Sequence, residues 1–314
     1  MSTAAPEAPA LPFEFFDVHV VRTHRVGPTM MRVTLGGDRL GGFASGGRDQ
    51  RFKLFLPQPG QDAPIVPTEA GEEWFTRWRE MDPRVRGVMR SYTVRAQRRD
   101  PDELDIDFAL HGTEAGADTA APAASGPASR WAAGARPGDR AVLLGPVAAD
   151  NAGVDFRPPA GTDWVLVCGD ETALPAVAGI LESLPAGMPA RVWIEVAHTG
   201  DVQPLPTPAD AEIHWLVREE LLAPDAAADR RPRRTDLAPD AVRAAAFPPG
   251  TPYAWVAGEA ATVRALRRHL VKERGLARRA VTFTGYWRLG ATEEQLVEEA
   301  VSRTAPADGA ESGG

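Results

Sequence analysis

The rhythm of this 314-residue chain changes once, near Asp163, and no other feature constrains its fold as strongly. Before that point, short runs of alternating apolar and polar residues are separated by Gly, Pro and Asp. "FDVHVVRTHRV" and "MMRVTLGG" form a pair joined near Gly27 and Pro28, and "RFKLFLP", "RSYTVRAQ", "ELDIDFALHG" and "RAVLLGP" follow. A period of two bounded by turn residues is the mark of strands. These six predict an antiparallel six-stranded β-barrel over residues 13–148. Within it, "EEWFTRWREM" sets Trp74 and Trp78 at i,i+4 and predicts a short helix capping the barrel.

After Asp163, strands alternate with helices. "WVLVCGD" reads as a buried strand and "ETALPAVAGILESL" as the helix after it; "ARVWIEV" and "EIHWLV" are further strands. "DAVRAAAF" is helical, "YAWVAGE" a strand, "AATVRALRRHLVKER" an amphipathic helix and "AVTFTGYWRLG" a last strand. That alternation predicts an α/β domain with a parallel sheet over 160–290. The polar, Pro-rich stretch at 221–240 predicts a mobile loop, residues 1–12 a disordered tail, and 291–314 a helical "TEEQLVEEAV" followed by disorder.

A net charge of −8 argues against a nucleic-acid partner, so an anionic ligand needs a local basic patch. Cys168 is the one cysteine, which excludes an internal disulfide and a thiolate metal cage. The six histidines show no metal-ligand spacing, so no protein-bound metal is expected. No stretch approaches the ~20 apolar residues of a membrane span, and the first residues lack a signal-peptide pattern. A cytoplasmic monomer without membrane insertion is expected.

Two stretches of the first half carry chemistry. In "RSYTVR", Arg90 and Tyr92 project to one side of a strand and Thr93 to the other. An isoalloxazine ring needs an aromatic wall, a hydrogen-bonding group near its reactive nitrogen and a cation for its diphosphate; Tyr92, Thr93 and Arg90 answer in that order. An ordinary strand with arginines at its ends has the same letters. In "GPASRWA", Gly126 permits close approach of backbone and ligand, and the start of a helix containing Ser129 offers N–H groups to a diphosphate. Trp131 walls an adenine or packs on the barrel.

The second half has no G-x-G-x-x-G. Instead "CGDETALPA" sets Gly169, Asp170, Glu171 and Thr172 where a strand ends and a helix starts, the place a dinucleotide takes in an open parallel sheet. Arg218 is the basic candidate near the second and third strands for a ribose 2′-phosphate, which leans the donor toward NADPH over NADH. Cys168 reads as a small buried residue rather than a redox thiol.

R-x-Y-T, "DIDFALHG", "GPASRWA", "RPGDRAVLLGP", "CGDETALPA" and "GYWRLG", in this order from Phe13 to Gly290, resemble the siderophore-interacting protein family. These are flavin-dependent ferric-siderophore reductases of the ferredoxin-reductase superfamily. The resemblance implies FAD held by Arg90, Ser91, Tyr92 and Thr93, by His111, and by Pro127, Ala128, Ser129 and Trp131. Tyr92 and Thr93 would be the catalytic contacts. It places the nicotinamide beside the "CGDET" loop and beside Gly258 and Glu259 of "AGE". "DQRFKLFLPQP" resembles the segment whose lysine faces the substrate, here Lys53, which otherwise reads as an edge-strand charge. The chain departs from the family at "GPVA" (145–148), where Gly-Pro-Arg-Gly is common, and at Thr282, where some relatives carry a base. Arg288 is the expected replacement in the substrate groove. A general flavin reductase and a non-enzymatic siderophore-binding protein are the alternatives.

Overall fold

Alternation is clearest in β1 (Phe13–Gly27), where Phe16, Val18 and Val20 are buried while Asp17 and His19 are exposed. The computed structural model describes residues 12–110, 126–221 and 234–291, together with Gln295. β1 pairs with β2 (Met30–Gly36), and β3 (Arg51–Leu56), β4 (Val88–Thr93), β5 (Ala96–Arg98), β6 (Glu103–Ala109) and β7 (Arg140–Pro146) complete one antiparallel sheet. Its order is β4-β3-β7-β1-β2-β6-β5.

Seven strands thus stand where six were expected, because "RSYTVRAQ" bends and changes partner. β4 pairs with β3, whereas β5 pairs with β6. At the bend, the Val94 N–H donates to Gln50 O and the Arg95 N–H to Asp105 O, both at 2.9 Å. One run of chain therefore joins the two edges of the sheet and curls it into an incompletely closed barrel. Phe16, Leu35, Phe43, Leu54, Ile106 and Phe108 fill its interior. On the outside, Trp74 and Trp78 of α1 (Trp74–Glu80) cover Phe55, Met89 and Leu144, as the i,i+4 spacing predicted.

The second sheet is parallel throughout, in the order β10-β9-β8-β11-β12. Its strands are β8 (Trp164–Asp170), β9 (Pro189–Val196), β10 (Asp210–Val217), β11 (Pro252–Glu259) and β12 (Val281–Trp287). The order reverses between β8 and β11. α2 (Pro127–Gly134) lies against the first sheet, and α4 (Arg218–Leu221) is a single turn after β10. α3 (Leu174–Ser183) covers one face of the parallel sheet; α5 (Leu237–Ala244) and α6 (Ala260–Arg268) cover the other.

The loop expected over 221–240 is corrected at its C-terminal end. α5 begins at Leu237, and Leu237, Ala238 and Pro239 are buried. A proline in the first turn of a helix costs no hydrogen bond, so it did not bar the helix. Residues 222–233 lie outside the described residues.

Three contacts lock the sheets together. A Cβ on Gly179 of α3 would stand 2.2 Å from Arg48 O, so only glycine permits this approach. The buried Asp49 carboxylate accepts from the Phe156 N–H (3.0 Å) and Trp255 Nε1 (2.9 Å), and burial raises its pKa. Asp201 accepts from the N–H (2.9 Å) and hydroxyl (2.7 Å) of Thr29 at the β1–β2 turn.

Candidate functional site

The register of β4 sorts its motif onto two faces. Arg90 lies opposite Leu54 and Tyr92 opposite Phe52, so both face the barrel interior; Ser91 opposite Lys53 and Thr93 opposite Arg51 face outward. Inside, the half-buried Tyr92 ring packs on Phe108 of β6 with centroids 4.4 Å apart, and Phe108 packs on Trp131 of α2 at 5.9 Å. The R-x-Y-T strand and the "GPASRWA" helix, far apart in sequence, thus meet across one phenylalanine. The Ser129 hydroxyl donates to Ala109 O at 2.9 Å and pins the first turn of α2 to the end of β6. Pro127 opens α2 and no side chain caps it, so the Ala128 and Ser129 N–H groups lack intrahelical partners. The Arg90 guanidinium is buried in the barrel wall and donates to Met89 O at 2.7 Å.

On the outer face, the Thr93 side chain lies beside the hydroxyl of Tyr286 on β12, whose ionisation burial disfavours. Lys53 Nζ donates to Ser91 Oγ at 2.8 Å on the same outer face. Arg288 follows β12 directly and is half-buried. His111 lies outside the described residues.

Across that junction, the strand ends of the parallel sheet converge on Asp170. Its carboxylate accepts from the Thr172 N–H (3.0 Å), the Glu259 N–H (2.9 Å) and Trp287 Nε1 (2.8 Å), which ties β8, β11 and β12 together at the reversal of strand order. Burial raises its pKa, with the Glu171 charge adding to the effect. Gly258 sits beside it at φ +134, where a Cβ would meet Asp170 Oδ2 at 2.6 Å; only glycine fits. The Glu259 side chain turns to cap α6, accepting from the Ala261 and Thr262 N–H groups. A small cleft at this end of the sheet is lined by Gly169, Asp170, Glu195, Arg234, Thr235 and Glu259.

Behind the cleft lies an ion-pair network that sequence reading missed. Glu171 is buried and accepts from both terminal nitrogens of Arg218 at 2.7 Å. Arg218 also reaches Glu195 at 3.1 Å. Arg234 joins from the side, 3.0 Å from Glu171 and 3.5 Å from Glu195, with its guanidinium 4.8 Å from the Trp287 ring centroid. Arg218, expected to face a ribose phosphate, is therefore already held by two carboxylates, and Arg234 is the guanidinium at the cleft. Arg234 was hidden because it falls in a stretch whose composition reads as loop. Tyr286 and Trp287 carried a signal, the aromatic pair closing the last strand. Cys168 is buried, and burial beside Glu195 and Asp170 pushes its thiol up, as expected of an inert residue.

Burial, opposed by Arg218 and Arg234, pushes Glu195 up to about 7 from its ordinary 4.5. Between those values the folded chain holds a proton that the unfolded chain has released. The contribution of Glu195 to stability is thus fully present below 4.5 and is lost as pH rises through about 7. Glu195→Gln is expected to remove this component, so that the urea midpoint of the variant falls less steeply over that window. Parallel pH profiles for the two proteins would refute the assignment.

Among the described residues, no group of three or more His, Cys, Asp or Glu is placed to hold a metal. No helix among them is long and apolar enough to cross a membrane.

Comparison with known proteins matches residues 19–150 to the family model of the siderophore-interacting FAD-binding domain and residues 162–290 to that of the siderophore-interacting protein. The chain is 32% identical to the ferric vibriobactin reductase ViuB of Vibrio cholerae, over 89% of this chain and 91% of that protein. It is 30% identical to the NADPH-dependent ferric-chelate reductase of Escherichia coli, over 87% and 92%. The crystal structure of a siderophore utilization protein from T. fusca is 34% identical and superposes with a TM-score of 0.69, covering 90% of this chain and 95% of that one.

Proposed function

The chain belongs to the siderophore-interacting protein family, and on that premise we propose that it is an FAD-dependent ferric-siderophore reductase driven by NADPH or NADH. One observation carries the reading: the Thr93 side chain at the end of β4 lies beside the Tyr286 hydroxyl near the end of β12. The group suited to a flavin's reactive edge thereby adjoins the strand ends suited to a nicotinamide.

The residues present fit a flavin dinucleotide. The half-exposed Tyr92 ring, backed by Phe108, supplies the wall; Arg90 and the Ala128 and Ser129 N–H groups suit the diphosphate; Trp131 closes the adenine side. Bound flavin supplies the conversion of a two-electron donor into single electrons for iron. Thr93 presents its hydroxyl to the reactive edge, with Tyr286 beside it. Gly126, Pro127 and Ser91 shape the approach, and His111 joins this set by resemblance. Gly169, Asp170, Thr172, Gly258 and Glu259 form the nicotinamide side, where the Asp170 carboxylate holds the backbone of β11 and the Trp287 indole in place. Arg234, backed by Glu171, stands on the ribose side; the NADPH dependence of the Escherichia coli relative supports that donor. Lys53 and Arg288 form the rim that meets the iron chelate. Fe(II) carries less charge than Fe(III) and is held more weakly by the same oxygen ligands, so reduction releases it.

The division into a flavin domain at 13–148 and a nicotinamide domain at 160–290 is supported by the two matched stretches, 19–150 and 162–290. A monomer acting in the cytoplasm completes the proposal. The test is anaerobic: FAD-loaded protein is reduced with NADPH or NADH, then given ferric siderophore and a ferrous trap. Flavin reoxidation matched by trapped Fe(II) is expected. Flavin that stays reduced would make the chain a general flavin reductase, and a chain that takes up no FAD would end the proposal. Lys53→Ala is expected to raise KM for an anionic ferric siderophore about 2- to 5-fold, the worth of one exposed charge, with flavin content unchanged. Equal KM values across several siderophores would remove Lys53 from the rim.

A further inference from the structure

Arg264, Arg267, Arg268 and Lys272 recur at the spacing of one helical face along α6 and its π-helical extension His269–Glu273. Arg274, Arg278 and Arg279 follow in the turns that lead to β12. Residues 264–279 hold seven basic side chains and one acid, a charge of +6 within a chain of net −8. The rest of the molecule therefore stands at −14. Arg264, Arg267, Arg268, Lys272 and Arg278 line one open depression, with Val271 and Glu273 among them. Among the described residues, none of these five, nor Arg279, has a carboxylate within 4.0 Å.

The pattern costs folding energy. Arg264 and Arg268, and again Arg268 and Lys272, are like charges at i,i+4, which destabilise a helix. Such a concentration of unpaired cations on an acidic protein calls for an anionic partner. A basic amphipathic helix suits either a membrane surface or a partner that grips its apolar face. Here Val263, Leu266 and Leu270 are buried in the core with Leu276, so the apolar face is spent and the depression presents mainly charge. No aromatic ring stands open among the cations for a base to stack on, since Arg267 lies over Phe283 at 5.8 Å. An array spread over a helix face and two turns can be engaged at once only by an extended anionic surface.

We propose that this face docks the protein on membranes rich in anionic lipid head groups. Binding is electrostatic with little insertion, because the half-buried Val271 is the one apolar side chain lining the depression. The face lies toward the start of β12, whereas Asp170, Glu259 and Trp287 lie at the C-terminal ends of the strands. A docked molecule therefore keeps that end of the sheet open to solution.

The test is sedimentation of the full chain with phosphatidylcholine vesicles containing about 30% phosphatidylserine, at low salt. Each surface cation contributes about fivefold, so Arg264→Ala, Arg268→Ala and Lys272→Ala combined are expected to weaken binding on the order of 100-fold. The thermal melt of that variant should not fall, since the three side chains make no ion pair and their like-charge contacts at i,i+4 are relieved. Binding should vanish on pure phosphatidylcholine and at about 0.5 M salt. A wild-type chain that ignores the anionic vesicles, or a triple variant that binds them equally well, would overturn the proposal. Retention by duplex DNA or polyglutamate without vesicle binding would assign the face to another polyanion and equally overturn it.

Discussion

Arg218→Ala is expected to lower the stability of the protein by about 3–5 kcal/mol, the cost of leaving a buried carboxylate without its partner. Arg218 is the bidentate partner of Glu171, at 2.7 Å through each nitrogen, and it also holds Glu195. Both carboxylates are nearly inaccessible, at 1% and 3% exposure, so water cannot replace the lost guanidinium. Arg234 remains, but it reaches the pair from the rim at 3.0 and 3.5 Å. In a thermal melt the loss corresponds to a drop of roughly 6–20 °C. Two further measurements separate charge from packing. Arg218→Met combined with Glu171→Gln should recover much of the loss, because the uncompensated charge is gone. The single variant should also regain stability toward pH 5, where the orphaned carboxylates take up protons. A melting point within about 2 °C of the parent would show that Arg234 alone balances both acids.

Arg90→Ala is expected to weaken FAD binding about 10- to 150-fold, the worth of a hydrogen bond to a charged group. The Arg90 guanidinium is anchored to Met89 O at 2.7 Å and buried in the wall of the barrel, so little ordering cost attends its use. Titration of the apoprotein with FAD, followed by flavin fluorescence, reads the change directly. Arg90→Lys should fall between the two, since an ammonium keeps the charge and loses the planar fork. A urea melt of each apoprotein guards against a folding defect. Unchanged FAD affinity in a folded Arg90→Ala protein would move the diphosphate away from this strand and leave the α2 amides to hold it.

Much of the fold was legible because local periodicity reports which face of an element is buried. The barrel strands announced themselves by alternation, as in Phe16, Val18 and Val20, and the parallel sheet by strand–helix rhythm. The strand count failed at one place, Val94–Arg95, because the change of partner there depends on where β3 and β6 lie and not on the residues of the bend. The helix α5 failed for a related reason. It starts within a stretch that is polar and proline-containing by composition, and Ala238 becomes core only because β8, β9 and α6 surround it.

The sequence by itself determined two folding units of different class, the order of their elements, the family, and the type of group at each expected position. These follow from side-chain period and from short motifs, which need no knowledge of distant residues. Only the tertiary structure decided which groups meet. It set Tyr92, Phe108 and Trp131 in one aromatic row, placed Thr93 beside Tyr286, gathered three strand ends on Asp170, and committed Arg218 to Glu171 and Glu195. A guanidinium in sequence is a free charge. Whether it faces a ligand or neutralises buried acids depends on desolvation and on distances of a few ångströms, and both are properties of the packed chain.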